Sequence, residues 1–470
     1  MEVARAKPHA PRPSASVMLR RGDEILVCHR VSTVPSFPDY WAFPGGGVSR
    51  TDRAALEGHP EWFADRDQDE RVALVALMRE MIEEVGIVPS PNGLKQIENE
   101  NRNQILQDKT AWLRLVESGE ISIEHEGFVV ISERTTPPLA PLRFRNHFFT
   151  VECTVEPILH SGERPEFDEY RWATPRRLLD EWMGNEIRLP PPLVMILREL
   201  LEDSIEKSIV RMSSTPPRKN ARIEFGPGVE CLPLPTDTLP PSTHTNCYIL
   251  GVPGGDRVII DPAAKCVDGL TQLQEKVDSI LEEGSTIVGT IFTHRHQDHI
   301  GDLEAISQLY TAPIWGSHET LDSISTHGET RLLQDGDLFN LDGVIWNVIE
   351  THGHCPGQLA FVSQAGIVSA DNVAQVGTIL VPSGEGDMTA YIRDLKRLRD
   401  YKPRLLFPGH GPVVTNPEKL LSHYIRHREK RHEAVFVAWE SGLRDIDDLS
   451  QAAYLDTPDA HPLLKLDQTK

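Results

Sequence analysis

The sequence predicts two mixed α/β catalytic halves joined by a polar linker. Three observations carry this. Near the start, an apolar helical stripe bears three carboxylates on one face. Further on, short apolar runs each end in metal-ligand side chains. Between the halves lies the turn-rich stretch Ser213–Asn220. A chain of 470 residues is long enough for two to four domains.

The first half opens on an apolar strand-like run, Ala15 to Leu19. A second apolar run, Trp41-Ala42-Phe43-Pro44, leads into the turn Gly45-Gly46-Gly47. The helix follows. Val72, Leu74, Val75, Leu77, Met78, Met81, Ile82 and Val85 form its apolar stripe. Glu80, Glu83 and Glu84 stand at i, i+3 and i+4, so they share one face. Like charges so packed repel, and a divalent cation with oxygen ligands resolves the conflict. An acidic triplet alone is also a common solvated helix face.

The glycine turn and the run Arg79-Glu80-Met81-Ile82-Glu83-Glu84-Val85-Gly86-Ile87 together resemble the Nudix hydrolase box, whose core reads REUxEExGU. The resemblance covers residues 12–201 and implies an α/β/α sandwich. It implies Mg2+ or Mn2+ held by Glu80 and Glu84, with Glu83 as a further ligand or base. Arg79 would orient a carboxylate by a bidentate pair. The implied reaction is cleavage of a diphosphate bond by activated water. The spacing departs from the family. Gly46 to Arg79 is 79 − 46 = 33 positions, against about 14 in the box, so roughly 19 residues are inserted. The box's first Glu has no clear counterpart, Glu70 being one position off. Such an insertion is similar to that of coenzyme A diphosphatases. So are Arg134-Thr135-Thr136-Pro137-Pro138, Arg143 to Phe149, Arg171 to Pro175 and Leu189-Pro190-Pro191-Pro192. For Arg143 and Arg145, structural pairing is the default reading over phosphate contact.

A helix-like run, Leu193 to Arg211, ends the first half, and residues 202–221 are assigned to the linker. The second half then carries the densest motif of the chain, Thr293-His294-Arg295-His296-Gln297-Asp298-His299, after the apolar run Ile287 to Phe292. Imidazoles two apart at a strand end can grip one cation, and the Asp-His pair beyond them a second. Thr351-His352-Gly353-His354 follows Val344–Ile349. Ser369-Ala370-Asp371 follows Leu359–Val362. Phe407-Pro408-Gly409-His410 follows Leu405-Leu406. Each candidate ligand sits past an apolar run, where loops carry sites on a rigid sheet.

Residues 222–440 thus resemble the metallo-β-lactamase superfamily, whose HxHxDH signature stands here as His294, His296, Asp298 and His299. The resemblance implies an αβ/βα four-layer sandwich binding two Zn2+ ions. His294, His296 and His354 would hold one. Asp298, His299 and His410 would hold the other, and Asp371 would bridge them. A water acidified to hydroxide would be the nucleophile, with Asp298 also orienting it. Thr245 to Leu250, Ile259-Ile260-Asp261, Phe407 to Val414 and the basic run Tyr424 to Arg431 are similar to the β-lactamase-like protein 2 group. Members of that group include single-strand endoribonucleases, and the wider superfamily includes thioesterases. His352 stands where the family often has Pro, and reads as a loop residue. Members also carry a winged-helix-like module, for which residues 441–470 leave a short helical tail, and this weakens the ribonuclease reading.

Composition bounds the rest. The chain is 39% hydrophobic and 25% charged, an ordinary globular balance. No apolar stretch reaches the roughly 18–20 residues of a membrane span. Met1 to Pro13 lacks the apolar core of a signal peptide. The six cysteines show no CxxC pairing and read as free thiols of a cytoplasmic protein. Cys355, beside His354, reads equally as a lining thiol or a loop thiol. A net charge of −22 opposes nonspecific nucleic-acid or membrane binding.

These features lead to a bifunctional metal-dependent hydrolase. The first half would cut a nucleoside-diphosphate-linked, coenzyme A-like compound. The second would hydrolyse an ester or thioester. The expected partners are a small nucleotide or acyl-coenzyme A-like substrate, no membrane, and a homo-oligomer as an open option. The alternative is a single-strand endoribonuclease or RNA-processing enzyme whose Nudix half handles or senses nucleotides.

Overall fold

A computed structural model describes residues 10–470 except 91–92, 109, 124–126, 139, 141, 161–164, 215–221, 326–327, 458–464, 467 and 470. The chain divides into two units at Phe225/Gly226.

In the first unit, one mixed sheet is built from β1 (Arg12–Arg21), β2 (Glu24–Arg30), β3 (Trp41–Ala42), β4 (Gly45–Gly47), β7 (Val129–Thr135), β8 (Phe144–Glu152) and β9 (Phe167–Ala173). Between β4 and β7 come α1 (Arg50–Gly58), α2 (Gln68–Val85), the ribbon β5 (Ile87–Ser90) and β6 (Gly93–Gln96), then α3 (Asn99–Gln107) and α4 (Ala111–Glu117). The strand order is β3-β2-β1-β8-β7, with β4 on β1 and β9 on β2. The run Ala15 to Leu19 is apolar throughout because both faces of β1 are covered. Ala15, Val17 and Leu19 point to a core shared with α2, while Met18 joins the opposite core. The latter is closed by α5 (Pro175–Met183), α6 (Pro191–Leu200) and α7 (Ile205–Ser214). This is an α/β/α sandwich.

Two expectations change here. The helix expected over Leu193 to Arg211 is two helices, broken at residues 201–204. The linker expected over 202–221 begins as α7, whose Ile205 and Ile209 are buried in the first unit's core. Of the turn-rich stretch, residues 215–220 lie outside the described residues, as do residues 1–9 of the N-terminal stretch.

The second unit holds two sheets. One runs β10 (Glu224–Gly226), β11 (Val229–Pro235), β12 (His244–Leu250), β13 (Asp256–Ile260), β14 (Thr286–Ile291), β15 (Ile314–Gly316) and β16 (Thr330–Leu332) in order. The other runs β17 (Leu338–Leu341), β18 (Val344–Glu350), β19 (Leu359–Ser363), β20 (Gly366–Ala370) and β21 (Leu406–Pro408). The sheets face each other through aromatic rings. Tyr248 lies 5.8 Å from Phe407, and Trp315 lies 5.7 Å from Phe339, both edge-on. Helix α8 (Val267–Glu282) covers the outside of the first sheet through Leu273, Val277 and Ile280. After the short helices α9 (Gln297–Ile300), α10 (Leu303–Leu309) and α11 (His318–Ser323), helices α12 (Met388–Asp400) and α13 (Pro417–Glu440) cover the second sheet through Tyr391, Leu395, Leu398, Leu421 and Ile425. The result is four layers, αβ/βα. Of the expected tail, α14 (Ile446–Ala453) is described. Among the described residues, no helix is long and apolar enough to cross a membrane.

Candidate metal centres

The second unit brings all seven predicted ligands to one edge, where β14, β18, β20 and β21 end. The local fold explains the motif spacing. After β14 the chain bends through residues 293–295, which brings His294 and His296, two apart, together. His296 then caps the short helix α9 (Gln297–Ile300), whose turn carries Asp298 and His299 to the neighbouring position.

His296 Nδ1 lies 3.0 Å from His294 Nε2 and 3.1 Å from His354 Nε2. His299 Nε2 lies 3.3 Å from His410 Nε2 and 3.4 Å from Asp371 Oδ1. His410 Nε2 is also 3.4 Å from Asp298 Oδ2 and from Asp371 Oδ2. Asp371 therefore touches the second group and reaches His354 Nε2 of the first at 3.8 Å. The carboxylate stands between the two. The outer nitrogens are held separately. His354 Nδ1 meets Leu380 O at 2.7 Å, His410 Nδ1 meets His244 O at 3.0 Å, and His299 Nδ1 meets Asp261 Oδ2 at 2.8 Å.

Electrostatics separate the groups. Burial, helped by His299, drives His294 well below the usual imidazole range. Burial likewise pushes His354 down to about 4. Both stay neutral, the form that ligates a cation. At His410, burial opposes the charge but Asp371 and Asp298 outweigh it, raising its pKa to about 10. The same contest, won by Asp371 and Asp261, holds His299 well above its ordinary value. Asp298 is held well below the carboxylate range. Burial opposes this, and His410 and His299 overcome it.

The donors fit a pair of divalent cations. Three ring nitrogens converge with their lone pairs inward, which a cation reconciles. Asp371 Oδ1 is buried without a hydrogen-bond partner. Gly409 leaves the space free, for a Cβ there would stand 2.3 Å from Asp371 Oδ1. A cavity of about 630 Å³ opens beside this cluster.

Residues not assigned as ligands from sequence support it. Asp261, past the end of β13, accepts from Thr293 N at 2.7 Å and Thr293 Oγ1 at 2.6 Å as well as facing His299. Glu385 accepts twice from Arg295, at 2.6 and 2.9 Å, and lies 3.5 Å from His296 Nε2. Cys355 turns to Glu385 at 3.4 Å, and burial pushes its thiol up to about 12, so it is a protonated donor. His352 is a loop pin, its Nδ1 accepting from Gly357 N at 2.9 Å and its Nε2 meeting Glu350 at 3.0 Å. All six cysteines are free, and Cys266 alone is exposed.

In the first unit, Glu80, Glu83 and Glu84 lie on one face of α2, as their spacing requires. They are not gathered as tightly as the histidines. Among the described residues, every group of three or more ligating side chains whose atoms lie within 4.8 Å of one another is in the second unit. Arg79 stands among them, 2.9 Å from Glu80 and 3.2 Å from Glu83. Its bidentate partner is Asp52, at 2.9 and 3.0 Å, buried completely. This corrects the reading that the box's first acid is missing. Asp52 lies six positions after Gly46 and takes that place ahead of the insertion. Counting forward from the glycine turn finds it; counting back from Arg79 lands on Glu70. The inserted residues complete α1 and bury Trp62 and Phe63 in the core.

Glu84 Oε2 accepts from Gly45 N at 2.7 Å, while Glu84 Oε1 is buried without a partner. A Cβ on Gly46 would stand 2.3 Å from Glu80 Oε1. Burial, then Glu166 and Glu80, raise Glu84 well above the carboxylate range. Burial raises Glu80 too, with Arg79 opposing and Glu83 reinforcing. Glu166, which pairs with Arg30 at 2.6 Å, is the charged neighbour that weighs most on Glu84. Crowded, dehydrated oxygens with an orphan atom fit a hard divalent cation. Arg145 is taken up by Glu133, at 2.8 and 2.9 Å, and Asp69, at 2.5 Å, and Arg143 Nε donates to Thr136 O at 3.0 Å.

Comparison with known proteins agrees with this division. Residues 10–191 match the NUDIX domain, and residues 241–410 match the metallo-beta-lactamase superfamily. A Drosophila melanogaster beta-lactamase-like protein 2 homolog is 25% identical over 228 residues, 46% of this chain and 76% of that protein. An Aspergillus fumigatus atrochrysone carboxyl ACP thioesterase is 25% identical over 204 residues, 43% of this chain and 61% of that one. Among solved structures, a NUDIX hydrolase from Alicyclobacillus acidocaldarius is similar at 22% identity, covering 44% of this chain and 99% of its own, with a TM-score of 0.38. The chain carries an N-terminal NUDIX domain and a C-terminal metallo-β-lactamase domain, two hydrolase families that bind divalent metals.

Proposed function

We propose that the protein is a bifunctional hydrolase of acyl-coenzyme A-like compounds. The second unit would hydrolyse the ester or thioester, and the first would cut the diphosphate. The observation that carries the reading is the convergence of His294, His296, His354, Asp298, His299, His410 and Asp371 beside an open cavity. Zinc suits this imidazole-rich set. When bound, it would acidify a water and polarise a carbonyl. The chain's own part is to orient. Asp298, 22% exposed on its side chain, would accept a proton from the attacking water. Asp261 and Glu385 would fix the rings of His299 and His296.

In the first unit, Glu80, Glu84 and Glu83 would hold magnesium or manganese, which would offset charge on the diphosphate. Arg79 would keep Glu80 and Glu83 in place, itself clamped by Asp52. The atrochrysone carboxyl ACP thioesterase lends support for a thioester by its name. The ribonuclease alternative loses support from the basic helix. Arg428 binds Ile379 O and Gln468, Lys430 binds Asp456, and Arg431 binds Ala453 O and Asp456.

The test uses purified protein, an acyl-coenzyme A, zinc and magnesium, with products resolved by mass spectrometry. Adenosine 3′,5′-diphosphate should vanish in Glu84→Ala, and free thiol should vanish in His296→Ala. Neither product from wild type would sink the proposal.

A further inference from the structure

The cavity beside the histidine cluster has walls of two kinds. Its floor includes His296, Asp298, His354, Asp371 and His410. One wall is apolar, formed by Leu239, Pro241, Val376, Ile379, Leu380 and Pro382. Leu239 is 60% exposed and Val376 37% exposed. Folding alone does not call for open apolar side chains next to an ionised cluster, whereas an apolar ligand does. The volume, about 630 Å³, is that of a small-molecule site.

Away from the histidine cluster the described lining carries one basic side chain. Lys265 is the cavity's one lysine, and no arginine lines it. It is exposed and forms no ion pair among the described residues. Asp237 also lines the cavity, so the wall charge is mixed. The loop that delivers Lys265 is fixed to the floor. Asp261 and Ala263 hold φ values of 48° and 38°, left-handed for residues with a Cβ. The first is locked by Thr293 and His299, and Ala264 O accepts from Asp302 N at 2.9 Å. Lys265 therefore follows a strained, tethered turn.

We propose that this cavity seats an acyl thioester bearing an anionic group, with the acyl chain on the Leu239–Val376–Leu380 wall and the anion on Lys265. This rests on the hydrolytic reading above. Water adds its oxygen to the acyl carbon, the carbon–sulfur bond breaks, and the sulfur leaves as a thiol with one of the water's protons. The other proton is released as the acid ionises. No oxidant or second substrate is needed. The anion belongs either to a carboxylate at the far end of the acyl group or to the phosphate of a phosphopantetheine arm.

The experiment compares four substrates on the metal-loaded full chain: acetyl-pantetheine, octanoyl-pantetheine, octanoyl-4′-phosphopantetheine, and an ω-carboxyoctanoyl-pantetheine. None contains a diphosphate, so the first unit has nothing to cut. Burial of each added methylene should raise kcat/KM roughly fourfold until the wall is filled. One of the anionic substrates should exceed its neutral counterpart by about tenfold. Which one does so identifies the source of the anion. Lys265→Met should bring that ratio close to one, while Lys265→Arg should keep it. A ratio unchanged in Lys265→Met, or no anionic preference in wild type, overturns the role of Lys265. Equal turnover of acetyl and octanoyl substrates overturns the apolar wall. Failure of wild type on all four overturns the thioesterase reading itself.

Discussion

The two candidate centres solve the same problem, holding cations in a protein, with opposite materials. In the second unit, five histidines and two aspartates come from four separate strand ends, and their ligating atoms already face one another within about 3.0–3.8 Å. In the first, three glutamates come from one helix, and two of them lean on an arginine. Neutral imidazoles such as His294 and His354 can be packed bare because they do not repel as charges do, while His299 and His410 are balanced by Asp371, Asp261 and Asp298. Carboxylates cannot be packed bare, so the helix site keeps a cationic side chain among them and its acids are pushed toward protonation. The histidine ligands are gathered tightly; the glutamates are spread along one helix face.

That contrast can be broken, and the largest effect should come from the histidine centre. Asp371→Asn removes the group shared by both halves of the cluster. Thioester hydrolysis should fall by at least ~100-fold, and bound zinc, read by elemental analysis, should drop by about one ion per chain. Unchanged metal content would show that Asp371 does not join the two halves. Next, Glu84→Ala should cut diphosphate cleavage by ~100-fold while thioester hydrolysis continues. If diphosphate products persist at the wild-type rate, the first unit senses nucleotides rather than cutting them.

A stability effect ranks third. Asp52→Ala leaves the Arg79 guanidinium buried without its fork, which should cost roughly 3 kcal/mol. Hydrogen exchange of the α2 amides would report it; protection equal to wild type would refute the clamp. The smallest effect should be that of Glu385→Gln, which keeps shape but weakens the hold on His296. Zinc affinity, measured by competition with a chelator, should fall about tenfold. An unchanged affinity would make Glu385 a partner of Arg295 alone.

Legibility followed the same divide. The histidine ligands were readable because each stands directly past an apolar run, so strand ends and side-chain chemistry coincide in sequence. The αβ/βα and α/β/α layers came from family likeness more than from periodicity, since strands buried on both faces, such as β1, do not alternate. Glu385 and Glu166 carry no local signal. They reach their sites from loops, and only the folded chain brings them near. Asp52 was hidden for another reason, because the distance to Arg79 was read from the wrong end of the insertion. The stretch holding α7 reads both as the end of a helix-like run and as linker because its flanks are polar, while Ile205 and Ile209 find a core that sequence alone does not display.

The insertion between Asp52 and Arg79 can also be viewed as polymer. Two contacts tie its ends together, the Asp52–Arg79 fork and the Gly45 amide on Glu84. Lengthening the loop that the fork closes from about 8 to 79 − 52 = 27 positions costs entropy only as the logarithm of its length, about 1 kcal/mol. Trp62, packed 5.9 Å from Trp112, offsets that many times over in apolar area. A motif defined by spacing is therefore cheap to stretch, provided the stretch begins and ends on residues that already hold hands in space. The same arithmetic makes the exposed turn near Gly58 a place where a reporter peptide could be spliced in with the carboxylate face left as it is.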